Sequence, residues 1–490
     1  MKKRILFGLL LFTLSIEAQI SNLASLASGE MEMFAPIFEQ DQNVYGYFSL
    51  FKLDKLNESE EKFEYVILDK NLNKVANGEF IDVTYKGIMS SYYSPDKINN
   101  NLVLTKRYGN LTGTIMFTST RLLDLDLNLI SDSFFISDNI LHKGVRDDNN
   151  LKKSERNKKF VNVPIGVNDG FMVVNIKKKL VKENPSTIQF YNIKQEKLWE
   201  YDFGKENGKS EYNLVSYDSD VLYFSYTTND FKNSNTKLQQ IDTKTGKLNF
   251  DYLLEDDNSE YSHSYTIKKI AEKTIIMGKI SPYKVSGYDY QNSAGFFKIV
   301  LDADGQELFK KYFLWEEANA FIEINKKGKV ESGYRLLVKS YFVFKDERIL
   351  VLSEKLKIGT NILVGPMVKT TDFVLLEFDK DFNLISANTI EKDLSKFSAS
   401  DFLFSQYLND EKDAVFFYKD YQKDSETKEK NWVLGIVSIV DGKLNHEKIP
   451  MSSDDNYIYP YIAKEGYILL REFNKNAEFD EIRLERLNLN

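Results

Sequence analysis

The sequence predicts an all-β chain assembled from a recurring strand pair, on three observations. Aromatic residues make up 14% of the 490 positions, mainly 35 Phe and 29 Tyr, and these favour strands. Apolar residues alternate with polar ones over short runs, which is the two-residue period of a half-buried strand. Polar turns with a fixed spacing from Asp to Asn or Gly return along most of the chain.

The clearest copy is residues 238–254, LQQIDTKTGKLNFDYLL. Leu248, Phe250, Tyr252 and Leu254 alternate with polar neighbours after the turn. Asp242 can bond its own turn backbone, and Gly246 can take φ > 0 without a Cβ clash. The turns at Asp69–Asn73, Asp124–Asn128 and Asp379–Asn383 share one spacing, and Asp302–Gly305 and Asp441–Gly442 are shorter relatives. The Asn or Gly slot is expected to hold the left-handed residue of a bulged hairpin.

Taken in order, residues 31–38 read as a first strand and 44–53 as a second. Residues 54–61 read as a polar loop, and 63–68 and 74–81 as a hairpin. Apolar runs at 102–107, 171–176, 221–226, 274–280, 348–353, 414–418 and 467–473 each lead into a similar hairpin. The runs 160–165, 212–217, 265–270 and 334–344 read as innermost strands. Units recur roughly every 50–75 residues, near the range of known structural repeats. Four strands per unit predict a β-propeller of seven or eight four-stranded blades, with the N-terminal segment near residues 20–38 closing the ring. Residues 19–490 form a single domain in this reading. Residues 314–333, containing LWEEANAFIEI, are expected to include a short helix.

Residues 1–18 have the layout of a signal peptide. Lys2, Lys3 and Arg4 precede an apolar core over 5–16, and Ala18 before Gln19 supplies a cleavage point, although Ile16 is large for its place. About twelve apolar residues are too few to span a bilayer. The expected location is periplasmic or extracellular, with no transmembrane segment after signal removal. The absence of cysteine excludes disulfides, thiolate metal sites and Cys nucleophiles. The net charge of −8 becomes −10 once the net +2 of Lys2, Lys3, Arg4 and Glu17 is removed. An acidic chain carries no electrostatic footprint for nucleic acid.

Propeller geometry places the tight hairpins on one face. Residues 54–61, 177–186, 227–236, 281–294, 357–371 and 419–430 then lie on the other, as long loops. Function concentrates on loops held by a rigid scaffold. Residues 281–294, SPYKVSGYDYQNSA, make Tyr283, Lys284, Tyr288 and Tyr290 the candidate ligand-binding residues, because tyrosine clusters recognise proteins or sugars. The three histidines, His142, His263 and His446, fall in different units, so neither a zinc site nor a Ser-His-Asp triad is expected. The Asp-rich turns lack the Gly and Glu of a calcium loop. No catalytic residue, metal or cofactor is assigned. A monomer binding an unidentified protein or glycan is expected, with a glycan-acting hydrolase or lyase as the alternative.

Two resemblances rest on particular residues. DTKTGKLNF (242–250) and KLWEY (197–201) resemble the repeat of quinoprotein-like propellers, with Phe250 in the place of the repeat's Trp. KSYFVFK (339–345), NILVGPMVKTTDFV (361–374), EFDKDFN (377–383) and NDEKDAVFFY (409–418) resemble an exported family of unknown function from Bacteroidota. That second resemblance covers most of the chain and implies no known activity.

Overall fold

The computed structural model describes residues 19–22, 29–39, 43–109, 115–133, 164–167, 169–175, 187–203, 209–229, 234–256, 258–283, 292–361, 365–396, 400–423, 430–452, 456–474 and 480–488. The proposed signal peptide and His142 lie outside these residues, as do Lys284, Tyr288 and Tyr290.

The described residues form an all-β structure. Strands adjacent in sequence pair antiparallel in consecutive groups of four. Among the described residues there are seven sheets. The nine-stranded one holds two such groups, over 30–83 and 96–130, joined by one parallel pair between Phe38 and Asp96. Further groups span 165–202, 209–255, 261–314, 335–390 and 402–450. In one more sheet, Asn456–Ile462, Tyr467–Asn474 and Asp480–Arg486 are joined by Gln19–Asn22, which pairs antiparallel with Asp480–Arg486 from Gln19↔Leu484 to Asn22↔Glu481. The first strand expected over 31–38 is present, and the segment near 20–38 expected to act as one piece is two separate strands. Gln19–Asn22 lies at one sheet edge, and Glu30–Phe38 begins the first group.

Second strands read as unbroken apolar runs because both their faces are buried. In Ile349–Asn361, Ile349 and Val351 pack toward Phe296 and Phe313 of the preceding group. Leu350 and Leu352 pack toward Phe416 and Val437 of the following one. Each apolar cluster thus lies between neighbouring groups, which is how sheets that cannot bury a face alone are stabilised. Phe34, Tyr47 and Phe51 meet Leu469, Ile482 and Leu484 in the same way, bringing the two ends of the chain together.

The hairpin turns form as expected, with one correction. Gly246 takes φ of 68°, and Gly305 and Asn128 are also left-handed. In the turns at 69–73 and 379–383, however, the left-handed residues are Leu72 and Phe382, not Asn73 and Asn383. Leu72 and Phe382 are buried, and Phe382 stacks 4.7 Å from Phe378, so packing holds a backbone conformation that costs an ordinary side chain energy. The asparagines serve the carboxylates instead. Asn73 Nδ2 donates to Asp69 Oδ2 and Asn383 Nδ2 to Asp379 Oδ2, both at 2.9 Å. A register shift beside the turn recurs between Ile67 and Leu68, Gln240 and Ile241, and Glu377 and Phe378.

These turns carry a pH dependence. Partial burial pushes the carboxyls of Asp69, Asp242 and Asp379 up, but hydrogen bonds from their own turns outweigh it and hold all three below the usual range. A depressed carboxyl contributes stability above its unfolded pKa of about 4, and that stability is lost as pH falls through the folded value. Urea titrations are expected to show falling stability below about pH 4, with a shallower fall in an Asp69→Asn, Asp242→Asn, Asp379→Asn triple variant.

The long-loop expectation is also corrected. Much of the supposed loop is paired ribbon. Lys55↔Glu61, Leu356↔Thr370, Lys357↔Lys369 and Gln422↔Asn431 are cross-strand partners. Backbone pairing needs no apolar side chain, so a two-stranded ribbon continues past the core where sequence polarity suggests a loop. The short helix is present as a 3-10 turn over Trp315–Ala320, with Glu317 Oε1 accepting from the Leu314 N–H at 2.8 Å.

Candidate functional site: a polar cleft on the ribbon face

The tip of the Val44–Asn57/Glu60–Asp69 ribbon and the connection over 84–90 share one face of the first group, opposite its tight turn at 69–73. On it, a cleft of about 660 Å³ opens between the Val44–Asn57/Glu60–Asp69 ribbon and the connection over 84–90. Its polar lining includes Lys52, Lys55, Glu58 and Glu61 from the ribbon, and Thr84, Lys86 and Ser90 from the connection. Phe63, Met89 and Tyr92 supply apolar wall, and Glu32 lies at the rim. Lys52 is paired with Glu61 at 2.8 Å.

The unusual member is Lys106, which lines the cleft while only 2% exposed. It lies on Asn101–Gly109, where Leu102, Leu104 and Lys106 share one strand face, so the side chain follows two leucines toward the core. Its Nζ donates to Val83 O at 3.1 Å and lies 3.8 Å from Asp82. The ring centroids of Phe63, Tyr92 and Tyr108 lie 5.2, 5.3 and 5.3 Å away, within range of cation–π attraction. Desolvation pushes the ammonium pKa down, against the charges of Asp82, Glu61 and Glu32.

Asp82 is drawn elsewhere. Tyr92 donates to its Oδ2 at 2.6 Å, and Arg121 approaches its Oδ1 at 3.3 Å. Arg121 also donates to Ile81 O at 2.5 Å and Ser131 O at 2.9 Å. Burial, then the charge of Asp82, push the Tyr92 phenol well above its ordinary value, so it stays a donor.

A second buried charge network ties the group over 335–390 to the group over 402–450. Glu354, Lys392 and Asp401 are all buried. Lys392 Nζ lies 2.6 Å from Asp401 and 3.6 Å from Glu354, and Lys339 lies 3.1 Å from Glu354. Thr370 donates to Asp401 at 3.1 Å, and the Asp401 N–H to Glu354 at 3.1 Å. Two cations and two carboxylates balance.

The expected site residues are placed only in part. Tyr283 donates its backbone N–H to Glu260 O at 2.9 Å, beside the start of Tyr261–Ile270. Of the described histidines, His263 has a buried side chain, with its Nδ1 3.0 Å from Glu255 and its Nε2 3.3 Å from the Tyr312 hydroxyl. His446 Nε2 lies 2.6 Å from the Tyr418 hydroxyl. Among the described residues no group of three or more His, Asp or Glu is placed to hold a metal. Lys106, Asp82, Arg121 and Tyr92 were missed. The available signal was a lysine in phase with the apolar positions of a core strand.

Four-stranded antiparallel meanders following one another along the chain, with their cores between them and a polar cleft on one face, define a β-propeller. The chain belongs to a family of unknown function, DUF6770, whose profile matches residues 1–400. No curated protein matches it. Among solved structures it is similar to the WD40 domain of SCAP from fission yeast, at 11% identity and a TM-score of 0.36, covering 95% of this chain and 97% of that one. It is similar to oligopeptidase B from Leishmania major at 8% and 0.42, covering 92% and 54%. It is also similar to the β-propeller domain of the Trilobed protease from Pyrococcus furiosus at 9% and 0.34, covering 83% and 97%.

Proposed function

We propose that this protein is an exported binding module, a single ring of eight four-stranded blades closed by Gln19–Asn22, whose contact surface is the ribbon face and its cleft. The eight-blade reading is supported by eight apolar clusters among the described residues, each joining two successive groups, including the one that joins first and last. Export to the periplasm or beyond is supported by the charge and hydropathy layout of residues 1–18.

The observation that carries the binding reading is the cleft. It is an open polar cavity with apolar wall and a partly compensated buried cation, the pattern of a ligand site. The test is capture of soluble oligosaccharides and peptides by the immobilised chain. Lys86→Glu with Met89→Glu, both at exposed rim positions, is expected to abolish capture without unfolding. Equal capture by wild type and variant removes the cleft rim from the contact surface. The alternative, a glycan-acting enzyme, draws on the meeting of Tyr92, Asp82 and Lys106 at the cleft wall. It predicts that captured oligosaccharides are cleaved on incubation.

A further inference from the structure

Charge counting around Lys106 gives the cleft a chemical preference. Lys106 and Arg121 are both buried and share one carboxylate, that of Asp82. Asp82 is committed to Arg121, to the Tyr92 hydroxyl and to the Val83 N–H at 2.9 Å. The other acids near Lys106 do not balance it: Glu61 is held by Lys52, and Glu32 is exposed. Among the described residues the buried cluster therefore carries an excess positive charge, and Lys106 is the member that borders the cavity. Burying a charge without a partner is costly, and a ligand anion is one way to remove the cost.

The remaining lining selects among anions. Glu32, Glu58 and Glu61 oppose a highly acidic peptide, while their carboxylates can accept from hydroxyl groups. Thr84 and Ser90 add neutral hydroxyls, and Met89, 58% exposed, adds apolar surface on which the carbon face of a sugar ring can pack. We infer that the cleft is a subsite for a carboxylated sugar unit, the Lys106 ammonium meeting the carboxylate and the surrounding hydroxyl and carboxylate groups meeting the ring hydroxyls. This deepens the binding-module reading and rests on it.

The test uses the full chain with millimolar D-glucuronate, D-glucose and N-acetyl-L-aspartate at matched ionic strength, read by thermal shift and saturation-transfer NMR. Glucuronate is expected to raise the melting temperature of the wild type, and glucose not to. Lys106→Met leaves Arg121 and Asp82 as a balanced pair, so its ligand-free melting temperature is expected to equal or exceed that of the wild type. Its glucuronate affinity is expected to fall at least about tenfold, the scale of one charge-assisted hydrogen bond. Lys106→Gln keeps a donor for Val83 O without the charge and is expected to behave likewise.

Lower ligand-free melting temperatures in both variants overturn the inference, because Lys106 is then a structural counter-ion. So does the absence of any glucuronate shift, or a larger shift with N-acetyl-L-aspartate. Capture that survives the rim variant while glucuronate binding still depends on Lys106 refutes the wider contact surface alone. Rim-dependent capture without a glucuronate effect refutes the sugar-carboxylate assignment alone.

Discussion

Replacing Lys392 by methionine is expected to lower stability by about 3–5 kcal/mol, the usual cost of removing one partner from a buried ion pair. The side chain is fully buried between Asp401 and Glu354. Its loss leaves two buried carboxylates facing Lys339 alone. Thr370 and the Asp401 N–H still donate, but neither supplies charge. Urea denaturation of the full chain checks this through the transition midpoint. The double variant Lys392→Met, Asp401→Asn restores the balance of one cation to one carboxylate and is expected to recover most of the loss. An unchanged midpoint in the single variant would show that Lys392 is dispensable to the seam. Lys106→Met is the informative contrast: a buried lysine is removed in both cases, yet one removal unbalances its cluster and the other balances it.

Trp315→Ala is expected to cost about 3–5 kcal/mol, as large-to-small changes at buried aromatics do. Trp315 is 1% exposed and sits among Ala318, Ile324 and Val330. Its ring meets Phe296 edge-on at 4.9 Å, and its Nε1 donates to Ser293 O at 2.8 Å. A Cβ at Gly328, where φ is 72°, would come within 2.9 Å of that nitrogen, so the segment closes tightly over the indole. The replacement removes the ring, its hydrogen bond and the anchor of residues 315–333 together. Hydrogen exchange is expected to quicken first at the backbone bonds Ile322 N–H to Ala318 O and Gly328 N–H to Asn325 O. Trp315→Phe keeps most of the packing and should recover much of the stability.

The strand repeat was legible because it follows from local rules. Two-residue alternation marked Leu248–Glu255, where Phe250 and Leu254 are buried and Leu253 is exposed. Asp at the start of the turns at 69–73 and 242–246 was legible because its carboxylate bonds backbone N–H groups two to four positions away. Ribbon lengths were misjudged because backbone pairing continues under polar side chains, as at Lys357↔Lys369. The left-handed Leu72 and Phe382 were misplaced because burial, not local preference, holds them there.

By itself the sequence determined the all-β class, the four-stranded repeat, the turn chemistry and the lack of any thiol chemistry. These depend on residues within a few positions of one another, where spacing alone sets which groups can meet. Only the tertiary structure decided which charges share a site. Asp82 and Arg121 are separated by 39 positions, and Glu354 and Asp401 by 47, yet each pair meets in the buried space between neighbouring groups of strands. Coulomb energy and desolvation depend on distance and burial rather than on sequence separation. A lysine at position 106 reads as one more polar residue until its strand, its ribbon and its single shared carboxylate are brought around it.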